Sequence, residues 1–356
     1  MSTSRWIIAA AVVVLAVAGN AVAEVEWAKS SWNDIRTQAQ TENKYVFVDF
    51  YTTWCGPCKS LDKITYRDDK VIGFLNTTVP VKYDAEKGVG EELAAEYRVV
   101  AYPTLIVFGP SGEEIDRYVG YLPPDEFIAT IEGYMKGIGT TLFYEKQLEK
   151  NPDDFETLFT LGVKYADAVR SERAQATLGR AMEIDPKDTH EKRADILLTL
   201  GDVSYDAEKF EDSRRYYEQL IQENPEGAVY EGALRRLARA EYKLGNSDAA
   251  VASWETYIAL HPDDPKALNG FAWFCSQRGI GLDRALSVAL QAVEISGRDV
   301  GILDTLAEVY FARGDYDNAI LVAKEALAKD PEDQYLGDQV EKFETAREEA
   351  DSQAMQ

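Results

Sequence analysis

Trp54-Cys55-Gly56-Pro57-Cys58 decides the fold of the first part of this chain, because it joins an apolar run to a helical pattern. That run, Tyr45–Tyr51, is typical of a buried β-strand. Two cysteines separated by two residues, at the start of a helix that follows a strand, have the spacing of a redox dithiol. A helix N-terminus favours an anion, so the first thiol ionises more readily. We predict that Cys55 attacks disulfides and that Cys58 is the resolving thiol.

The same cysteines fit two other interpretations, a structural disulfide or half of a zinc site. A zinc site usually needs four ligands, and only Cys275, His190 and His261 remain, far along the chain. A structural bridge of this length closes a very short loop and stabilises little. We therefore expect no metal and no cofactor beyond the Cys55–Cys58 pair. The Cys55 sulfur should be ionised near neutral pH and reachable from solvent.

Length and charge restrict the class of protein. The chain has 356 residues, of which 46% are hydrophobic, so it has material for at least two cores. Its net charge of −24 disfavours a nucleic-acid partner or an anionic membrane surface, since phosphates would be repelled. Solubility is the simpler explanation of the acidity.

Residues 1–23 have the pattern of a secretory signal peptide. A short positive region ends at Arg5, an apolar core follows, and Ala21-Val22-Ala23 is a small-x-small cleavage site. We expect export, to a bacterial periplasm, with the mature chain beginning near Glu24. The alternative is a membrane anchor formed by an uncleaved signal segment.

Residues 24–137 alternate helical and strand patterns. The predicted helices are Trp32–Thr41, Cys55–Leu75, Glu91–Tyr97 and Pro124–Met135, and the predicted strands are Tyr45–Tyr51, Val79–Tyr83, Thr104–Phe108 and Ile115–Val119. Gly109-Pro110-Ser111-Gly112, between the last two strands, is typical of a hairpin turn. This order predicts a mixed sheet covered by helices on both faces.

The order of these elements resembles the thioredoxin fold. The residues that carry the resemblance are Val48-Asp49-Phe50, the five-residue cysteine motif and Tyr102-Pro103-Thr104. It implies that Pro103 is cis and lies against the dithiol, and that Trp54, Tyr102 and Pro103 form a substrate-docking edge. It also implies that Asp49 is the buried acid that helps to move the proton of the resolving thiol. Without that resemblance, Asp49 could be a strand-end residue in contact with solvent.

One departure concerns the electron donor. Lys63 stands where thioredoxin has a helix-kinking proline, and the run Lys59–Asp68 is more similar to exported domains of periplasmic disulfide reductases. A Gly-Pro pair between the cysteines is found in reducing members of the family, so the resemblance favours reduction.

Beyond a linker at 138–151, the chain has almost no strand pattern. Five dipeptides recur with prolines spaced by 34, 39, 37 and 69 residues: Asn151-Pro152, Asp185-Pro186, Asn224-Pro225, His261-Pro262 and Asp330-Pro331. A period near 34 residues is typical of tetratricopeptide (TPR) repeats, which build an all-α solenoid. We predict five repeats, at 152–186, 187–225, 226–262, 263–297 and 298–331, and a capping helix and tail at 332–356.

Each predicted repeat also has small residues where its two helices should approach. The first helices contain Leu161-Gly162, Leu200-Gly201, Leu237-Ala238, Phe271-Ala272 and Leu306-Ala307, and the facing positions are Ala174, Ser213, Ala250, Ala285 and Ala319. Arrays of this kind resemble peptide-binding scaffolds whose concave face is built from the first helices. That geometry places these residues inward: Phe159, Arg235, Arg239, Lys243, Asn269, Trp273 and Glu308.

Arg235, Arg239 and Lys243 follow one another at a spacing of four and should form a basic row on one helix face. With Asn269 and Trp273 nearby, the row suits a peptide that carries carboxylates. The alternative is that these cations pair with neighbouring acidic residues. Cys275 is expected to be a buried structural thiol.

The leading hypothesis is an exported thiol–disulfide oxidoreductase that reduces protein or peptide disulfides, with the repeats docking a substrate or partner. Such an enzyme needs a membrane electron donor outside the cytoplasm. The alternative is a TPR binding scaffold or assembly factor in which the first domain is mainly a docking module. A thiol oxidase or isomerase is a third hypothesis.

Overall fold

The computed structural model describes residues 24–354 and divides the chain after Phe143 into two compact units. The predicted signal peptide at 1–23 lies outside the described residues. Within the described part of the chain, no helix has both the length and the apolar character needed to cross a bilayer.

The first unit is an α/β domain with a four-stranded mixed sheet. Its elements are α1 (Trp32–Glu42), β1 (Val46–Tyr51), α2 (Gly56–Lys63), a 3₁₀ turn (Thr65–Arg67), α3 (Asp69–Leu75), β2 (Val79–Asp84), α4 (Val89–Glu96), β3 (Thr104–Phe108), β4 (Glu114–Val119) and α5 (Pro124–Met135). The strand order is β2-β1-β3-β4, with β1 and β2 parallel and the other two pairs antiparallel. This is the predicted thioredoxin fold.

Helices cover both faces of the sheet, as predicted. Because side chains alternate along a strand, Val46, Val48 and Phe50 of β1 face one side and Phe47 and Asp49 face the other. Helices α1 and α4 pack on the first face. Helices α2, α3 and α5 pack on the second. Asp49 therefore lies on the face that α2 covers.

The single helix predicted for Cys55–Leu75 is wrong, because the chain breaks into α2, the 3₁₀ turn and α3. Thr65 donates a hydrogen bond to the Leu122 carbonyl at 2.6 Å, and Tyr66 turns its ring into the core. Asp68 then has extended backbone, and its carboxylate accepts from the amides of Lys70 and Val71, which begins a new helix. Core contacts from Thr65 and Tyr66 overrode the helical pattern.

The second unit is all α-helical where the structure describes it. Its helices are α6 (Thr141–Lys150), α7 (Phe155–Asp167), α8 (Ser171–Ile184), α9 (Arg193–Asp206), α10 (Phe210–Glu223), α11 (Gly227–Lys243), α12 (Ser247–Leu260), α13 (Pro265–Ser276), α14 (Leu282–Ile295), α15 (Val300–Ala312), α16 (Tyr316–Lys329) and α17 (Gln334–Ala354). Helices α7 to α16 form five pairs of successive helices that pack together, one pair in each predicted repeat. The predicted linker contains α6, because Leu148 packs against the first pair.

Small residues let the two helices of each pair approach, as predicted. Ala174, Ser213, Ala250, Ala285 and Ala319 are all completely buried. At Gly162, an added Cβ would lie 2.5 Å from the Leu178 side chain, and at Gly201 it would lie 2.3 Å from the Tyr217 ring. These distances are too short for any side chain, so glycine sets the separation of the first two pairs.

The first helix of each pair ends in a left-handed residue. The last three pairs use Gly245, Gly279 and Gly314, whereas Val169 (φ 52°) and Glu208 (φ 57°) stand at the same position in the first two pairs. Glycine accepts this backbone conformation without a steric penalty, but a β-branched residue such as Val169 does not.

Candidate active site and docking face

The cysteine pair lies at the junction between β1 and the N-terminus of α2. Cys55 is the N-cap of α2, with an extended backbone, and its sulfur accepts a hydrogen bond from the Cys58 amide at 3.1 Å. Pro57 occupies the first turn, where the missing N–H costs nothing. The two sulfurs are joined in a disulfide with an S–S distance of 2.01 Å. A sulfur held by a helix N-terminal amide is favoured as an anion once that bond is reduced.

The expectation that Cys55 is open to solvent is wrong for this disulfide form. Cys55 and Cys58 are each only 2% exposed. The Cys55 sulfur is bonded to the Cys58 sulfur and accepts from the Cys58 amide. Attack on a substrate therefore requires reduction of this disulfide first.

Asp49 is completely buried, as the resemblance predicted, and its environment makes the carboxyl hold a proton more strongly than an exposed aspartate does. One oxygen, Oδ2, accepts from the Tyr66 hydroxyl at 3.0 Å and lies 3.4 Å from Lys82 Nζ. The other, Oδ1, has no hydrogen-bond partner among the described residues. Burial raises the pKa of Asp49 to about 6, although Lys82 and Tyr66 favour the ionised form.

Lys82 connects this buried acid to the surface. It lies opposite Asp49 in the β1–β2 register, and its ammonium group pairs with Asp62 of α2 as well as with Asp49. The ammonium also lies 4.7 Å from the centre of the Tyr51 ring and 5.2 Å from that of Tyr66. The Lys82 side chain is 16% exposed and that of Asp62 is 49% exposed, so ion pairs join the buried Asp49 to a residue in contact with water.

The predicted docking residues come together beside the dithiol motif. The Tyr102–Pro103 peptide is cis, as the resemblance implied. Trp54 is 64% exposed, and its ring lies edge-on to Tyr102 with a centroid distance of 6.0 Å. Its indole N–H donates to both carboxylate oxygens of Glu86 at 3.0 Å, which holds the exposed ring in place. Pro103 is buried.

Comparison with known proteins agrees with this geometry. A family profile described as a thioredoxin-like domain matches residues 32–134, and a tetratricopeptide-repeat profile matches residues 204–273. Thioredoxin H7 of Arabidopsis thaliana is 32% identical over 111 residues, which are 31% of this chain and 80% of that protein. The chain belongs to the thioredoxin family. The residues that match, here called the thioredoxin domain, lie in the first unit, and the TPR match lies in the second.

Two other relatives are matched over less of their own length. Thioredoxin Y2, chloroplastic, of Arabidopsis thaliana is 34% identical over 108 residues, 30% of this chain and 62% of that protein. The thiol:disulfide interchange protein DsbD of Campylobacter jejuni is 28% identical over 105 residues, 29% of this chain and 18% of that protein. The similarity to these relatives covers the thioredoxin domain alone.

Sequence reasoning missed three residues around Asp49 of the thioredoxin domain, namely Tyr66, Lys82 and Asp62. Lys82 could have been found from the register of two predicted parallel strands, which would place it next to Asp49. Tyr66 could not, because the helical pattern hides the break that turns its ring inward. Glu86 was missed for a similar reason, since it lies in the loop after β2.

On the repeats, the basic row has no acidic partner. Arg235, Arg239 and Lys243 are exposed on α11, and none has a carboxylate oxygen within 4.0 Å among residues 24–354. Each lies over an aromatic ring instead: Arg235 over Tyr257, Arg239 over Tyr205 and Lys243 over Phe210. The alternative that these cations are paired with neighbouring acids is therefore wrong at salt-bridge distance.

The other residues expected on the inward face behave in different ways. Trp273 is 38% exposed on α13, and Asn269 on the same helix is half-buried. Glu308 is not available, because α17 covers it: its carboxylate accepts from Gln339 at 2.8 Å and from Lys342 at 2.6 Å. Cys275 is completely buried, and burial raises its pKa to about 12, which suits a structural thiol.

Proposed function

We propose that this protein is an exported thiol–disulfide oxidoreductase that reduces disulfides in protein substrates, and that its repeats dock a substrate or partner. The proposal covers the whole chain, whereas its relatives match the thioredoxin domain alone. The observation that carries it is the Cys55 sulfur at the N-terminus of α2, with the Cys58 amide donating to it at 3.1 Å.

The first step is attack by reduced Cys55. Its thiolate forms a bond to one sulfur of the substrate disulfide, and the other substrate sulfur leaves with the electron pair and takes a proton from water. The amide that stabilises the Cys55 anion needs no rearrangement, because it already points at the sulfur in the disulfide form. The product is a mixed disulfide between Cys55 and the substrate.

The second step needs Cys58 as a thiolate. Cys58 lies on α2, the helix that covers the sheet face bearing Asp49. Asp49 takes the Cys58 proton, because a carboxyl with a pKa of about 6 accepts a proton more readily than an ordinary aspartate. Cys58 then attacks the Cys55 sulfur, the second substrate sulfur leaves as a thiolate, and the Cys55–Cys58 disulfide forms. Two electrons have passed to the substrate.

The docking edge supplies backbone groups for a substrate strand. Neither the amide nor the carbonyl of Tyr102 makes a hydrogen bond among the described residues, whereas the Pro103 carbonyl accepts from Gly120 at 2.9 Å. An extended substrate segment can pair with Tyr102 and pack against the exposed Trp54 ring. This arrangement would bring a substrate disulfide beside the cysteine motif.

Direction and location are parts of the proposal that rest on the sequence. The Gly-Pro pair between the cysteines favours reduction, and residues 1–23 favour export to a bacterial periplasm, where a membrane dithiol donor would return electrons to Cys55–Cys58. An uncleaved segment would keep the same chemistry at a membrane surface. One relative bears the name thiol:disulfide interchange protein, which is the same class of chemistry.

The second candidate function is a binding scaffold in which the thioredoxin domain only docks. The low exposure of Cys55 is the observation that favours it, since a closed disulfide can be merely structural. The two functions make opposite demands on the reduced protein, so they can be separated directly.

The test is reduction of insulin disulfides by the full chain with dithiothreitol as donor. The native protein should accelerate insulin precipitation, and Cys55→Ser should lower the rate to that of dithiothreitol alone. Equal inactivity of both proteins would favour the scaffold. A dithiol reduction potential as high as that of DsbA, about −120 mV, would contradict the reducing direction.

A trapping experiment identifies the substrates. Cys58→Ala leaves no resolving thiol, so mixed disulfides should accumulate on Cys55 and can be named by mass spectrometry. Cys55→Ala is the matched control and should trap little, because it removes the thiol at the N-terminus of α2 that attacks the substrate disulfide.

A further inference from the structure

Unpaired arginines are concentrated at one place in the second unit. Between residues 144 and 354 the chain has fourteen arginines, and ten have a carboxylate oxygen within 4.0 Å. The other four are Arg170, Arg235, Arg239 and Arg278. Three of these four lie on or beside α11 and α13. In a chain with a net charge of −24, a group of cations without carboxylates needs an explanation.

Arg239 and Arg278 are held by aromatic rings. The Arg239 guanidinium lies 4.7 Å from the centre of the Tyr205 ring, and that of Arg278 lies 5.3 Å from Tyr242 and 4.1 Å from Phe274. A ring contacts the flat face of a guanidinium and leaves its in-plane N–H groups free. Arg278 uses one of them, on Nη1, to donate to the Phe274 carbonyl at 3.2 Å.

The two guanidinium groups belong to one electrostatic group built by three successive helix pairs. Burial lowers the pKa of Arg278, nearby Tyr205 and Tyr242 raise it, and Arg239 lowers it further, so the two positive charges are close enough to repel. Arg239 and Asp206 attract each other, since Arg239 lowers the pKa of Asp206, but they are not within salt-bridge distance. Repulsion between cations that have no carboxylate at salt-bridge distance in the described part of the chain is a cost that a bound anion reduces.

Helix α13, the first helix of the following pair, carries a hydrogen-bond acceptor that is unsatisfied within residues 24–354, the side-chain oxygen of Asn269. The Asn269 side-chain oxygen is buried and accepts no hydrogen bond among the described residues. A buried acceptor without a donor is unfavourable, and a backbone N–H from a bound peptide would satisfy it. Trp273, one turn further along α13, offers an exposed ring for an apolar contact.

We propose that Arg239 and Arg278, set on Tyr205 and Tyr242, form an anion site that binds carboxylate side chains of an acidic peptide segment in a partner protein. Two guanidinium forks match carboxylates well, and Asn269 offers an acceptor for the backbone of the same segment. A peptide is favoured over a nucleic acid, because the acidic surface elsewhere would repel a long polyanion. The proposal names the chemistry of the partner that the repeats dock, and it needs no activity of the dithiol.

The probe is a fluorescein-labelled peptide of alternating Glu and Gly residues, with a Gln–Gly peptide as its matched control. Binding is measured by fluorescence anisotropy on the full chain with Cys55 and Cys58 both changed to Ser, so that disulfide exchange plays no part. The Glu peptide should bind and the Gln peptide should not. Because a charged hydrogen bond is lost, Arg239→Gln and Arg278→Gln should each weaken binding at least about tenfold.

Arg170→Gln is the matched control variant, since Arg170 is the only one of the four unpaired arginines in residues 144–354 that lies away from α11 and α13. Its affinity for the Glu peptide should stay within about twofold of that measured with Arg170 unchanged. Arg278 packs on Phe274, so its variant is also checked by circular dichroism, whereas Arg239 is exposed and its variant needs no such allowance. Arg239→Lys keeps the charge but loses the planar fork, so its affinity should lie between those of the native chain and Arg239→Gln.

Three results would overturn the anion site: no binding of the Glu peptide, an equal loss of binding in Arg170→Gln, or tighter binding of single-stranded oligothymidine than of the peptide. None of them bears on disulfide reduction, which is measured separately with insulin. A protein that reduces insulin but fails to bind the peptide would keep the proposed reductase and lose this partner.

Discussion

The two units of this chain differ in how their buried or unpaired charges are compensated. In the thioredoxin domain, Asp49 is buried together with its partners Lys82 and Tyr66, which offset part of the cost of burying its charge. In the repeats, Arg239 and Arg278 rest on aromatic rings and have no carboxylate at salt-bridge distance among the described residues.

The difference follows from what each site has to do. A proton-transfer group must have a defined pKa before substrate arrives, so its surroundings have to be complete. A docking surface gains affinity from groups that its partner satisfies, so it is left incomplete. The comparison therefore predicts that charge substitutions change the stability of the thioredoxin domain, in a direction set by the group removed, and leave the stability of the repeats nearly unchanged.

The largest expected effect is that of Lys82→Met. Removing the ammonium leaves Asp49 as an uncompensated buried charge, so the thioredoxin domain should lose about 3 kcal/mol of stability at pH 8. The loss should shrink at pH 5, where Asp49 is mostly protonated. Hydrogen exchange of the β1 amides reports the stability of this unit within the full chain. The matched change in the repeats, Arg239→Met, should alter exchange of the α11 amides by less than about 0.5 kcal/mol. Similar losses of stability at both positions would contradict the predicted difference between the two units.

Asp49→Asn should stabilise the thioredoxin domain, and the change in stability should be somewhat smaller than that caused by Lys82→Met. The folded-state pKa of Asp49 is about 6 against 3.8 for a free aspartate, so the native state holds the proton longer and stability falls as pH rises from about 4 to 6. An amide escapes this cost, so the variant should be about 2 kcal/mol more stable at pH 8 and unchanged below pH 4. Hydrogen exchange of the β1 amides at pH 8 and at pH 4 measures the difference in stability, and a gain that does not depend on pH would show that the Asp49 charge is not the cause. The mixed disulfide should also resolve more slowly.

Steric packing, rather than charge, should be the sensitive feature of the repeats. Gly201→Ala would place a Cβ 2.3 Å from the ring of the fully buried Tyr217, so we expect a loss of about 2 kcal/mol. Gly179 is a helical glycine with nothing within 4 Å of an added Cβ, and Gly179→Ala should stabilise its helix by up to about 1 kcal/mol. Hydrogen exchange of α9 and α8 amides distinguishes the two. Equal signs for the two glycines would refute the close-approach explanation.

The smallest effect sharpens a difference among the repeats themselves. Val169 has φ 52°, a left-handed conformation that is unfavourable for a β-branched residue. Val169→Gly removes that strain but adds chain entropy, so we expect a net gain of about 0.5 kcal/mol. The reverse change at the corresponding position, Gly245→Val, should cost about 1–2 kcal/mol. Thermal unfolding of the two variants provides the measurement, and a loss for Val169→Gly would count against a strained first pair.

Patterns of short range predicted most of the thioredoxin domain. The bounds of β3 and α5 agree with the structure, because an unbroken apolar run and a Pro-initiated amphipathic stretch each have one reasonable interpretation. The break after α2 was missed, because Thr65 and Tyr66 leave the helix to make contacts with residues distant in the chain, Leu122 and Asp49.

The same limit explains the candidate sites. Cys55, Cys58 and Asp49 could be chosen from the sequence because a motif and a strand surround them. Tyr66 and Arg278 could not be assigned roles, since each depends on a neighbour from another element. Solvent exposure was predicted least well from the sequence, since Cys55 was expected to be accessible and is buried in the disulfide form.

The amino-acid sequence by itself determined the two-part architecture, the dithiol and the helix-pair period, because spacing along the chain encodes all three. The tertiary structure alone decided which charges have partners. Asp49 and Arg278 look like ordinary charged residues in the sequence. Only the packing of distant elements places Lys82 beside the first and aromatic rings, with no carboxylate of residues 24–354 at salt-bridge distance, beside the second.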